Sequence, residues 1–192
     1  MSSGASNPAT ERLFIAISLP DPVRDQLSNL AERIHGLAWT RPEQLHVTLR
    51  FLGDVAAEQI DPLITRLASV HVEPFLLPLE GLGTFPPNRP PRVVWIGVGT
   101  GHPRLFQLRQ RIDDAVLAAH VDLDVRTFHP HVTLARCSES VSPALGHWLH
   151  KHRDFAASPV RVDAFDLYSS VLRPTGAVHT LKRRFALAPI QP

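Results

Sequence analysis

The chain has 192 residues, 44% of them apolar, enough for one compact domain whose core needs no covalent staples. A single cysteine, Cys137, excludes an internal disulfide and a Cys-rich metal site, in keeping with a reducing cytoplasm. Twenty basic residues against 18 acidic give a net charge of +2, which is compatible with a nucleic-acid ligand without arguing for one, and no stretch nears the roughly 18 apolar residues of a membrane span.

Met1 to Thr10 is small and polar, without the basic and apolar regions of a signal peptide, and reads as a flexible tail. Arg12 to Leu19 (RLFIAISL) predicts a buried strand. Asp21-Pro22 supplies a helix start, Val23, Leu27, Leu30 and Ile34 follow at helical spacing, and Gly36 supplies a stop. Leu45 to Leu52 predicts a second strand. Ile60 to Val70 predicts a second helix through Ile60, Leu63, Ile64 and Leu67.

Strands are expected at Phe75 to Leu82 and Val93 to Val98, with Gly83 to Arg92 (GTFPPNRPPR) left irregular by its prolines. Pro103 to Ala119 predicts a helix with Leu105, Leu108, Ile112, Ala115 and Ala119 on one face. His131 to Ala135 predicts a strand, Pro143 to His150 a short helix, and Val160 to Ser169 and Ala177 to Leu187 two closing strands. Strands and helices mix without strict βαβ alternation, so the expectation is an α+β fold with mainly antiparallel sheets, in one domain over residues 11–192.

The tetrapeptide His-Val-Thr-Leu occurs twice, at His46–Leu49 and His131–Leu134, both in expected strands. Side chains at i and i+2 of a strand share one face, about 7 Å apart. His46 and Thr48 then point one way and Val47 and Leu49 the other; His131 and Thr133 oppose Val132 and Leu134 in the same manner. Set across a groove, two imidazoles and two hydroxyls suit phosphodiester chemistry. A neutral imidazole takes a proton from the attacking oxygen, a protonated one delivers a proton to the leaving oxygen, and the hydroxyls bond the charged phosphate oxygens. The bland alternative is a pair of polar strand faces, on which threonine is common. A metal site is a weaker alternative, since no nearby carboxylate completes either site. His147, His150 and His152, near Lys151, also lack an acidic or thiol partner at ligand spacing in the sequence.

These motifs and their flanks resemble the two-histidine (2H) phosphoesterase superfamily, and within it the bacterial and archaeal RNA 2′,3′-cyclic phosphodiesterases, also called 2′-5′ RNA ligases. The likeness runs through RLFIAISLP (Arg12–Pro20), Trp39-Thr40, LHVTLRFLG (Leu45–Gly53), GLGTFP with PRVVWIGV (Gly81–Val98), PHVTLAR (Pro130–Arg136) and LYSSVLRPTGAVHTL (Leu167–Leu181). It implies a bilobal, pseudo-two-fold fold, two mainly antiparallel sheets flanked by helices around a central groove. It also implies hydrolysis of a terminal 2′,3′-cyclic phosphate to a 2′-phosphate without ATP, metal or other cofactor, and the reverse 2′-5′ ligation. His46 would be the acid and His131 the base, although the residues alone leave the roles interchangeable.

Two further positions carry over from the resemblance. Phe51 would stack on the substrate base, whereas its odd-numbered strand phase places it in the core with Val47 and Leu49. Arg136 would contact the phosphate, its alternative being a surface arginine. Arg50 and Arg173 are weaker candidates for RNA phosphates. His179 stands where the family commonly has an aromatic residue, His129 would share the face of His131 if the strand began early, and Cys137 reads as a small buried residue. The competing readings are a phosphodiesterase of small cyclic nucleotides or ADP-ribose cyclic phosphate, and an RNA-end binding module without turnover. A cytoplasmic monomer is the expected state.

Overall fold

A computed structural model of the chain describes residues 9–87, 90–99, 102–123, 127–173 and 176–188. Nine strands and four helices follow in the order β1 (Thr10–Ser18), α1 (Asp21–Ser28), β2 (Leu37–Trp39), β3 (His46–Ala56), α2 (Ala57–Leu67), β4 (Phe75–Phe85), β5 (Val93–Gly97), α3 (Pro103–Ala118), β6 (His131–Cys137), α4 (Ala144–Lys151), β7 (Ala156–Val162), β8 (Ala164–Arg173) and β9 (Gly176–Ala186). A single 3₁₀ turn at Pro42–Gln44 precedes β3. The tail expected over residues 1–10 falls outside the described residues as far as residue 8, and Thr10 already pairs with Ala56.

The sheet order is β7-β4-β5-β6-β3-β1-β8-β9, with β2 beside β6, and every paired strand is antiparallel to its neighbours. The order reads as two four-stranded halves, β7-β4-β5-β6 and β3-β1-β8-β9, joined at the Val47–Val132 pair. The first of these halves, β4 to β7, comes from one continuous stretch of chain, whereas the other is split: β1 and β3 precede that stretch and β8 and β9 return after it to complete their half. This return explains why no linker divides the chain.

The expected strand over Val160–Ser169 is in fact two strands, broken at Asp163, where the chain crosses from one half to the other. Likewise, β4 continues to Phe85 through part of the proline-flanked stretch expected to be irregular, because Gly83 and Phe85 pair with Trp95 and Val93 before the first proline. The helix expected to run on towards Gly36 stops after Ser28. Val23, Leu27, Leu30 and Ile34 are all buried as the spacing predicts. Trp148 Nε1 donates to the Leu30 carbonyl and Trp39 Nε1 to that of Glu32, occupying acceptors that a longer helix would use.

One face of the sheet is apolar. Ile15, Ile17, Val47, Leu49, Ile96, Val132 and Leu134 bury there with Leu63 and Leu67 of α2 and Leu105, Leu108 and Ile112 of α3. An ion-pair network ties α3 to β3: Arg50 Nε donates to Asp113 Oδ1 at 2.7 Å, and Arg109 Nε donates to the same oxygen at 3.0 Å. Arg50 is buried, so the alternative of Arg50 as an RNA-phosphate contact is corrected: its guanidinium is spent on Asp113. Among the described residues no helix is long and apolar enough to cross a membrane.

Removing one partner of a buried charge pair strands the other. Asp113→Ala is expected to lower unfolding free energy by about 3 kcal/mol, the low end for such pairs because Asp113 is partly exposed. Urea denaturation checks this; a loss below about 1 kcal/mol would show that the network contributes no more than a surface pair.

Candidate active site

The two His-Val-Thr-Leu segments open β3 and β6, and they are brought edge to edge at Val47 and Val132, both fully buried. Continuing that antiparallel alignment one residue each way sets His46 against Thr133 and Thr48 against His131. All four side chains leave the sheet on the face opposite the two valines and are partly exposed. The groove the motifs were expected to share is therefore built by a two-fold arrangement about one residue pair.

The likeness of the two strands extends to their irregularities. Both begin with the same seven-residue burial pattern, in which the fourth and fifth residues are both buried and the sixth is exposed. In β3 the register against β1 jumps from Thr48–Ala16 to Arg50–Ile15; in β6 the register against β5 jumps from Thr133–Trp95 to Ala135–Val94. Each jump is a β-bulge, which inserts one residue and reverses the facing of every side chain beyond it. Phe51 and Arg136 are thereby returned to the histidine face. Phe51 is 51% exposed, so its alternative placement in the core is corrected by the bulge. Arg136 is exposed and close enough to His179 to depress that residue's pKa.

The two imidazoles are held alike. His46 Nδ1 lies 2.7 Å from the Gln44 carbonyl oxygen, and His131 Nδ1 lies 2.6 Å from that of His129. A carbonyl only accepts, so in each neutral ring Nδ1 carries the proton and donates it, which leaves Nε2 as a base. Both pKa values are lowered, that of His46 to about 4, chiefly by burial and further by the neighbouring His179 and His131; the bond to Gln44 opposes this. His131 is lowered mainly by burial and then by His129, against the effect of its carbonyl bond. Burial, then Arg136, lowers His179.

Each ring has an aromatic surround supplied by the neighbouring strands. Phe14 of β1 lies 5.2 Å from His46, 5.3 Å from Tyr168, 6.1 Å from Phe51 and 4.8 Å from His179 between ring centres, and His179 lies 5.7 Å from His46. In the other half Phe85 lies 5.1 Å from His131 and 5.0 Å from His129, with Trp95 4.9 Å from His129 and 6.2 Å from His131. Trp95 lies flat over Gly83, where a Cβ would come within 2.2 Å of the indole. Behind His46, Ser18 donates to the buried Asp166 at 2.6 Å and so accepts from the Tyr168 hydroxyl, also at 2.6 Å.

Phe14, Ser18, Phe85, Trp95 and Tyr168 were not singled out from sequence, because only strand pairing brings them to the histidines. His129 and His179 both reach the site. Arg173, at the far end of β8, is exposed and pairs with Gly176 in the hairpin. Cys137 is buried, as expected. His152 does meet a carboxylate distant in sequence: Glu32, already bonded to Lys151 at 2.7 Å, lies 3.4 Å away. Among the described residues no three His, Cys, Asp or Glu side chains come together in a way that could hold a metal ion.

Imidazole titration by NMR checks this electrostatic picture. His46 is expected to keep the neutral Nδ1–H tautomer down to about pH 4, with His131 and His179 titrating below 6.5. The unfolded chain binds these protons near pH 6.5, so stability is expected to fall as pH drops from 6.5 towards 4. A His46 midpoint at or above 6.5 would contradict the burial argument.

A family model described as LigT like phosphoesterase matches the chain twice, over residues 17–95 and 96–179. Curated proteins called RNA 2′,3′-cyclic phosphodiesterase are similar along its length. That of Aeropyrum pernix is 37% identical over 71% of this chain and 78% of its own; that of Escherichia coli K12 is 31% identical over 92% and 97%. Among solved structures, E. coli LigT complexed with 3′-AMP superposes with a TM-score of 0.75 at 28% identity, over 93% of this chain and 99% of that one. TT0787 of Thermus thermophilus does so with 0.77 at 27%, over 94% and 100%. With a match to each half and relatives spanning nearly the whole sequence, the chain belongs to the LigT-like phosphoesterase family.

Proposed function

We propose that the chain is an RNA 2′,3′-cyclic phosphodiesterase, opening a terminal cyclic phosphate to a 2′-phosphate with His46 as acid and His131 as base. The observation that carries this is the pair of Nε2 atoms left open on two carbonyl-anchored imidazoles across the Val47–Val132 junction. The names of the A. pernix and E. coli relatives supply the substrate class.

The cyclic phosphate lies between the rings. His131 Nε2 accepts a proton from water as its oxygen attacks phosphorus, and protonated His46 Nε2 gives its proton to the departing 3′ oxygen. Thr48 and Thr133 donate to the non-bridging oxygens, and Arg136 adds a charge-assisted contact as their charge grows. Phe51, beside Phe14, offers the base a stacking surface without selecting its identity. Both imidazoles have lowered pKa values in the free protein, so the acid gains its proton as the anionic phosphate binds.

Incubation with a short RNA ending in a 2′,3′-cyclic phosphate, in excess EDTA, is expected to yield only the 2′-phosphate. His46→Ala and His131→Ala should each lower kcat by about 10²–10⁴-fold without loss of fold. No turnover, a 3′-phosphate product, or full activity in either variant would overturn the proposal. The profile of kcat/KM reports the free protein and should be bell-shaped with its optimum below pH 6.5, its limbs set by His46 at about 4 and by the lowered His131. The profile of kcat should lie at higher pH, because bound phosphate favours the protonated imidazole.

A further inference from the structure

A second cavity adjoins the groove on the His131 side. β4 pairs with β7 through Glu80 and with β5 from Leu82 onward, with Gly81, at φ +76°, between the two runs. The cleft beside this changeover has a volume of about 620 Å³, inside the roughly 300–1,000 Å³ range of ligand pockets. Trp95, Phe106, His129 and Phe155 line it, together with Arg153 and Glu80.

We propose that this cleft holds the nucleotide preceding the cyclic-phosphate end, so that the protein favours an RNA strand over a cyclic mononucleotide; this rests on the cyclic phosphodiesterase reading. Continuity is the first argument. His129 and Trp95 belong both to the surround of His131 and to the cleft wall, and the rings of His129 and His131 are 6.1 Å apart. A ligand whose phosphate lies at His131 enters the cleft without leaving the surface.

Chemistry is the second argument. Phe106 is 45% exposed, where a core aromatic would be buried, and its ring stands nearly perpendicular to that of Phe128. Arg153 is exposed at the rim, where Asp154 also lies, 3.1 Å from its Nε. Aromatic faces with a nearby guanidinium hold unpaired bases and the backbone beside them with little sequence preference. The carboxylates of Glu80 and Asp154 disfavour a small free anion, whereas they accept hydrogen bonds from base amino groups.

The test compares kcat/KM for adenosine 2′,3′-cyclic phosphate with that for the dinucleotide ApA ending in the same cyclic phosphate. Stacking of one base is expected to give the dinucleotide an advantage of about fivefold or more. Phe106→Ala should bring that advantage to within about twofold of unity, and Arg153→Gln should reduce it, while both leave mononucleotide turnover unchanged. Circular dichroism confirms that the variants fold. Equal use of both substrates by the unaltered protein would overturn the subsite, as would an advantage intact in both variants, or equal losses on both substrates. If neither substrate is turned over, the functional reading fails; affinities of the corresponding 2′-phosphate mono- and dinucleotide, titrated against the same variants, then decide the subsite by the same ratio.

Discussion

The two halves of the sheet meet at Val47 and Val132, and the geometry of the groove is set by that meeting. Burial of both valines on the helix-covered face fixes the phase of β3 and β6 at once. Because side chains alternate, the histidine and threonine on either side of each valine must leave on the opposite face. A slip of one residue by either strand at this junction would turn its own histidine and threonine into the core. The apolar packing beneath the sheet is thus what positions the imidazoles above it, and Asp113, gripping Arg50 from α3, pins the same strand from below.

Alternation explains four residues, and the bulges explain the next two. Without the extra residue at Leu49–Arg50 and Leu134–Ala135, Phe51 and Arg136 would face the helices. With it, the two halves carry equivalent side chains of different chemistry, one an apolar ring and the other a cation. The backbone is therefore close to symmetric while the groove is not, as suits a substrate with a base at one end and a phosphate at the other. The imidazoles share a further device: each gives its Nδ1 proton to the carbonyl two residues earlier, which fixes the tautomer without a side-chain carboxylate.

Much of this was legible in the sequence, because it depends on local period. The phase of His46, Thr48, His131 and Thr133 could be read from alternation, and the resemblance of the flanking segments carried the fold. What could not be read depends on partners distant in the chain. The bulge that exposes Phe51 is defined only against β1, Phe14 meets His46 because β1 lies beside β3, and Tyr168 meets Phe14 because β8 returns beside β1. The break at Asp163 was invisible for the same reason: the residues on either side are equally strand-like, and only the change of partner from β4 to β1 separates them. Arg50 looked like a candidate for phosphate because sequence does not reveal that Asp113 waits beneath it.

The central claim is that two equivalent imidazoles divide the work of acid and base. The most direct measurement replaces the bridging 3′ oxygen of the cyclic substrate with sulfur, whose thiolate departs without a proton. His46→Ala should then recover most of the rate it loses on the oxygen substrate, whereas His131→Ala, lacking the base, should stay slow on both. Equal losses on the two substrates in both variants would contradict the division of roles.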